Sequence, residues 1–289
     1  MAEIRILGVV GAGQMGNGIA QVAAQAGITV ICTDVAQPAL DKAKATVTGS
    51  LARLVKKEKL TQAQADEAVS RITFTTDLGR HKEADLIVEA ATEQESLKRT
   101  IFKELDKVAR PGVILASNTS SISITRLATV TSRPERFIGM HFMNPVPMMQ
   151  LVELIRGLLT SEETYQATRA LAEKMGKTCT VSKDMPGFIA NRLLMPMINE
   201  AFLALEQGLG SPEDIDTTMK LGASHPMGPL ALADLIGLDT CLAIMEVLHK
   251  EFGDSKYRPS VLLRQHVDAG LLGRKSNRGV FRYEDAKKG

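Results

Sequence analysis

The sequence predicts an α/β protein with a doubly wound, mostly parallel sheet over residues 1–185, followed by an all-helical C-terminal domain over residues 186–289. Three observations predict it. Short apolar runs alternate with helical patterns along the first two thirds of the chain. A glycine-rich turn directly follows the first apolar run. The alternation then breaks at Asp184-Met185-Pro186-Gly187, and helical patterns follow.

The first strand draws on Ile4, Ile6, Leu7, Val9 and Val10. Gly11-Ala12-Gly13-Gln14-Met15-Gly16 comes next and opens a helix over residues 17–26. Gly27 ends that helix, residues 28–33 form a second strand, and Asp34 closes it. Gly11 allows the tight turn, Gly13 lets a pyrophosphate approach the backbone, and Gly16 lets the helix pack on the strand. The helix start, with Gln14 and Met15, offers N–H groups and a positive dipole end to phosphates. Strand, glycines, helix, strand and acid in register form a Rossmann-type dinucleotide signature. Asp34 can accept bonds from ribose hydroxyls and would repel a 2′-phosphate. The following Val35-Ala36-Gln37-Pro38 supplies no arginine for one, so NAD is favoured over NADP.

Residues 38–60 read as a long helix with Pro38 in its first turn, and Thr61 with Gln64 as a capping box for the next helix. Strand-like runs follow at residues 72–76, 85–91, 113–117, 137–142, 151–156 and 177–182. Past the break, helices are expected over residues 188–207, 212–221, 229–252 and 260–269, then a short glycine-rich segment over residues 270–283.

Composition narrows the function classes. A net charge of +2 gives no sign of a nucleic-acid binder. There is no apolar run of bilayer-spanning length, and the first strand begins too early for a signal peptide. Cys32, Cys179 and Cys241 stand far apart, as buried small hydrophobes in a reducing, cytoplasmic setting would. Neither they nor the five histidines form a metal-ligand spacing. The apolar faces of a helical second domain need a partner, and self-association is the simplest.

Two residues interrupt strands that otherwise read as buried: His141 in Phe137-Ile138-Gly139-Met140-His141-Phe142, and Glu153 in Leu151-Val152-Glu153-Leu154-Ile155. A buried carboxylate needs a partner. If the two strands end side by side, Glu153 can fix one tautomer of His141 and favour its protonated form. Such a base suits hydride transfer from an alcohol, because a proton must leave the oxygen. A structural histidine bonded to a backbone carbonyl is the alternative. Ser117-Asn118-Thr119-Ser120-Ser121 follows a strand, where such a sheet binds ligands, and one of these residues is also placed to cap the next helix. Asn144-Pro145-Val146-Pro147 forms a rigid loop after the His141 strand. Asn191 lies within an apolar helical run. Arg53, Lys56, Lys57 and Lys59 make either a solvated helix face or a site for a phosphorylated ligand.

Together, residues Gly11 to Gly16, Val88-Glu89-Ala90, Ser117 to Ser121, Gly139 to Pro147, Pro186 to Leu194, Pro226 to Pro229 and Gly273-Arg274-Lys275 resemble the L-3-hydroxyacyl-CoA dehydrogenase family over nearly the whole chain. The resemblance implies that His141 is the catalytic base and Glu153 the acid that orients it. It implies that Ser120 and Asn191 hydrogen-bond the substrate oxygen. It places Asp34, Glu93, Lys98, Ser120, Asn144 and Lys275 around NAD, and Ser50 and Lys57 near the coenzyme A moiety of an acyl-CoA substrate. It also implies a homodimer formed through the helical domain. A sugar-acid dehydrogenase on the same scaffold and a non-catalytic nucleotide-binding protein are the rival readings. The joint presence of Ser120, His141, Glu153 and Asn191 speaks against the second.

Overall fold

A computed structural model describes residues 3–283, which divide between Met185 and Pro186 into two compact units. The first unit is built on an eight-stranded sheet: β1 (Ile6–Val10), β2 (Thr29–Thr33), β3 (Ile72–Thr75), β4 (Leu86–Glu89), β5 (Ile114–Ser117), β6 (Phe137–Phe142), β7 (Leu151–Arg156) and β8 (Thr178–Lys183). Their order is β3-β2-β1-β4-β5-β6-β7-β8. Neighbouring strands pair in parallel except β6 and β7, which run antiparallel. The order reverses between β1 and β4, the point at which doubly wound sheets hold their ligands.

Helices α1 (Gln14–Gln25), α2 (Gln37–Lys56), α3 (Gln62–Ser70), α4 (Glu95–Val108), α5 (Ile124–Ala128) and α6 (Glu162–Lys174) connect the strands. β4 and β5 are buried at every position and read as apolar runs, as central parallel strands do, each closed by one polar residue, Glu89 and Ser117. Fully buried side chains such as Leu7, Ile19, Leu40, Leu86 and Phe102 fill the sheet–helix layers, each contributing roughly 1.5–3 kcal/mol. Thr61 and Gln64 form both halves of the capping box at α3. The expected helix over 38–60 stops at Lys56, because Glu58 adopts a left-handed φ of 55°.

The second unit contains α7 (Ala190–Glu206), α8 (Pro212–Gly222), α9 (Pro229–Ile236), α10 (Leu238–Phe252) and α11 (Val261–Asp268). Ile198, Phe202, Leu230, Leu238, Met245, Leu248 and Leu263 meet in its core. The single helix expected over residues 229–252 is two. Gly237 sits between α9 and α10 with φ 104°, a conformation open to glycine and incompatible with a continuing helix. Buried Asp216 caps α9 by accepting from the backbone N–H groups of Leu230 and Ala231, both within 2.9 Å. Buried Asp234 accepts from Val280, Phe281 and the Tyr283 hydroxyl, fastening the glycine-rich tail to α9. No described helix is long and apolar enough to cross a membrane.

Candidate active site

The glycine turn at the end of β1 is shaped by contacts that explain each glycine. Gly11 adopts φ 100° and lies against the backbone of Ala90 and Ala91. A Cβ on Gly16 would sit 1.7 Å from the Gly11 carbonyl oxygen, so α1 packs this closely on the turn only with glycine there. Gly13 differs, since a Cβ there would meet nothing within 4 Å. Gly13 is also the N-cap of α1, and no side chain caps that helix end. Open space in front of uncapped N–H groups at a helix N-terminus fits a pyrophosphate, and thus NAD. Asp34 closes β2 and its Oδ2 accepts the Ala12 N–H at 2.8 Å, which sets the carboxylate beside the turn. Its Oδ1 accepts from Ala36 at 3.1 Å.

The carboxyl ends of β4, β5 and β6 bring further side chains to the same edge of the sheet. Glu93 gathers the loop after β5. Its Oε1 accepts from the Thr119 hydroxyl, from the backbone N–H and hydroxyl of Ser120, and from the N–H of Ser121. Lys98, buried in α4, donates to Glu89 at 2.7 Å and lies 3.4 Å from Glu93. Burial alone would raise the Glu93 carboxyl. The charge of Lys98 and the bonds from Thr119 and Ser120 outweigh it and hold Glu93 below the usual carboxylate range. Asn118 accepts the Phe142 N–H at 2.9 Å, tying the end of β5 to β6. Exposed Asn144 accepts from Gln14 at 2.9 Å, so the loop after β6 meets the glycine turn.

His141 and Glu153 are partners in register across β6 and β7. His141 Nδ1 lies 2.9 Å from Glu153 Oε2, with the two residues 8% and 1% exposed. A carboxylate only accepts, so Nδ1 carries the proton and the basic lone pair falls on Nε2. The antiparallel turn of the chain between these strands creates the pair, because directly opposed residues project to the same face.

Ser50 and Lys57 belong to the first unit, and Asn191 and Lys275 to the second. Ser50 is half-buried and Lys57 exposed at the C-terminal end of α2, near exposed Arg53, Lys56 and Lys59. In the second unit, Asn191 is buried in the first turn of α7. Its neighbour Arg192 stacks over the rings of Phe252 and Tyr257, at 4.0 and 4.5 Å from their centroids. Lys275 is ion-paired with Asp239 at the start of α10, its Nζ 2.6 Å from Oδ2.

The sequence assigns no role to Glu89, His81 or Lys177. Glu89 and His81 are fully buried, and His81 Nε2 lies 2.8 Å from the Thr33 hydroxyl. A charged residue ending the apolar run Leu86-Ile87-Val88 was the available signal for Glu89. Among the described residues, no group of His, Cys, Asp and Glu is arranged to hold a metal ion.

Comparison with known proteins agrees with this geometry. Residues 6–185 match the model of the 3-hydroxyacyl-CoA dehydrogenase NAD-binding domain, and residues 187–283 match that of the 3-hydroxyacyl-CoA dehydrogenase C-terminal domain. A 3-hydroxybutyryl-CoA dehydrogenase of Bradyrhizobium diazoefficiens is 56% identical over 286 residues, covering 99% of this chain and 98% of the relative. A probable 3-hydroxybutyryl-CoA dehydrogenase of Deinococcus radiodurans is 58% identical over 276 residues, covering 96% and 99%. The crystal structure of the (S)-3-hydroxybutyryl-CoA dehydrogenase PaaH1 from Ralstonia eutropha superposes with a TM-score of 0.96 at 57% identity, covering 98% of this chain and 100% of that one. An NAD-type glycine turn, a histidine–glutamate pair and both family domains in one chain lead to one assignment: the protein belongs to the 3-hydroxyacyl-CoA dehydrogenase family.

Proposed function

We propose that the protein interconverts (S)-3-hydroxybutyryl-CoA and acetoacetyl-CoA with NAD, and that His141 is its acid–base residue. The observation that carries this reading is the buried His141–Glu153 contact of 2.9 Å on the strand next to the polar loop of Ser120. NAD, when bound, supplies the hydride acceptor for substrate C3. His141 Nε2 takes the proton of the substrate hydroxyl in oxidation and returns it in reduction. Glu153 stabilises the imidazolium that forms and keeps the ring in the working tautomer. Ser120 and Asn191 hydrogen-bond the substrate oxygen and support its developing charge.

Gly11, Gly13, Gln14, Met15 and Gly16 would hold the pyrophosphate, with Asp34 on the adenosine ribose. Glu93, Lys98, Asn144 and Lys275 complete the cofactor's surroundings in this reading. Buried Lys98 acts there by holding Glu93, its Nζ 3.4 Å from that carboxylate. Ser50 and Lys57 on α2 would receive the coenzyme A moiety, and the exposed cations around Lys57 suit its phosphates. The protein would work in the cytoplasm as a homodimer, in a step of fatty-acid metabolism.

The test is the loss of NADH absorbance with acetoacetyl-CoA, run beside NADPH and beside free acetoacetate. Fast turnover with NADH and the thioester, and little with NADPH or the free acid, is the expected result. Turnover of free acetoacetate at the thioester's rate would overturn the coenzyme A reading.

A further inference from the structure

Lys177 stands just before β8 and is 8% exposed. Its Nζ donates to two backbone carbonyls, Val146 at 2.6 Å and Met149 at 2.8 Å. No carboxylate pairs with it among the described residues, and burial pulls its ammonium below the usual lysine range. A buried cation without a counter-charge is unfavourable for simple space filling. Both carbonyls belong to the segment that runs from the His141 strand to the Glu153 strand. That segment meets α1 at two places. Val146, 2% exposed, lies so close to Gly18 that a Cβ there would come within 2.8 Å of it. Two residues earlier, Asn144 accepts from Gln14 in the glycine turn at 2.9 Å.

We infer that Lys177 is a positioning residue for the cofactor. It fixes the segment between β6 and β7 so that Asn144 stays against Gln14. The inference rests on the proposed placement of Asn144 and Gln14 beside NAD. Lys177 itself touches neither reactant. Its loss therefore weakens NADH binding and leaves proton transfer at His141 unchanged.

The experiment is a double-mutant cycle on the full chain, with kcat and both KM values for NADH and acetoacetyl-CoA. Lys177→Met should raise the NADH KM by roughly tenfold, the scale on which one charged hydrogen bond counts. The acetoacetyl-CoA KM and the kcat at saturating NADH should stay within about twofold, since the lost interaction serves cofactor binding alone. On an Asn144→Ala background the same change should add less than about twofold, because the route through Asn144 is already cut. Unmoved KM values, equal changes in both, or a full additive effect on the Asn144→Ala background would overturn the inference. If Lys177→Met does not fold, Lys177→Leu, which likewise removes the donor and the charge, carries the same comparison with the same outcomes. An Asn144→Ala enzyme with unchanged NADH KM would remove the cofactor role of Asn144 and this route with it. A raised KM in that variant beside a silent Lys177→Met would refute Lys177 alone.

Discussion

His141 and Glu153 are opposed in register across the antiparallel pair of β6 and β7, with Nδ1 2.9 Å from a carboxylate oxygen that is itself out of solvent. The contact fixes both the ring and its tautomer. Glu153→Gln keeps an acceptor of similar size and removes the charge. Its kcat should fall by about ten- to a hundredfold, because the imidazolium that forms in the reaction loses its counter-charge. Saturating rates of the two enzymes check this, and an unchanged kcat would make Glu153 structural.

Two glycines of the same turn should behave in opposite ways. Gly13→Ala meets nothing within 4 Å, so stability should change by no more than about 0.5 kcal/mol, while NADH binding falls because the new methyl fills the pyrophosphate's approach. Gly16→Ala sets a Cβ against the Gly11 carbonyl at 1.7 Å, so it should lower stability as well as binding. Urea unfolding beside NADH titration separates the two.

Asp34 holds Ala12 through Oδ2 at 2.8 Å, and in the proposed NAD site its charge would repel a 2′-phosphate. Asp34→Asn can keep that backbone contact while removing the charge. The preference for NADH over NADPH in kcat/KM should shrink by roughly tenfold, about the 1.4 kcal/mol that a factor of ten represents. A preserved preference would show that other groups make the selection.

His81 gives a stability prediction with a definite sign. Burial pulls its pKa down to about 4 from the ordinary 6.5, and Nδ1 has no hydrogen-bond partner among the described residues. The folded protein therefore binds the proton less readily than the unfolded chain. The stability this group contributes is complete above about pH 6.5 and is lost as pH falls toward 4, on the order of 3 kcal/mol in all. His81→Gln should flatten the dependence of the urea midpoint between pH 6.5 and 4. An equally steep slope in the variant would assign it to other groups.

Much of this architecture was legible because it is written locally. The bounds of β6 and β7 follow from runs that are apolar apart from one titratable residue each, and the capping box at α3 is a pattern spanning Thr61 to Gln64. The break between α9 and α10 was not legible. Gly237 lies in an otherwise continuous helical pattern, and the chain folds back there because the glycine takes a positive φ with the Lys275 side chain close by. The collar of bonds around Glu93 and the hold of Lys177 on the 146–149 carbonyls were equally hidden. Both join residues far apart in sequence, and no local period marks them.

The most direct test of the central claim is the turnover of acetoacetyl-CoA with NADH by His141→Gln, measured beside its NADH affinity. An unchanged NADH Kd with turnover reduced by about 10²–10⁴-fold, the share that general acid–base catalysis supplies, is the expected result. A variant that binds NADH equally well and keeps wild-type turnover would contradict it.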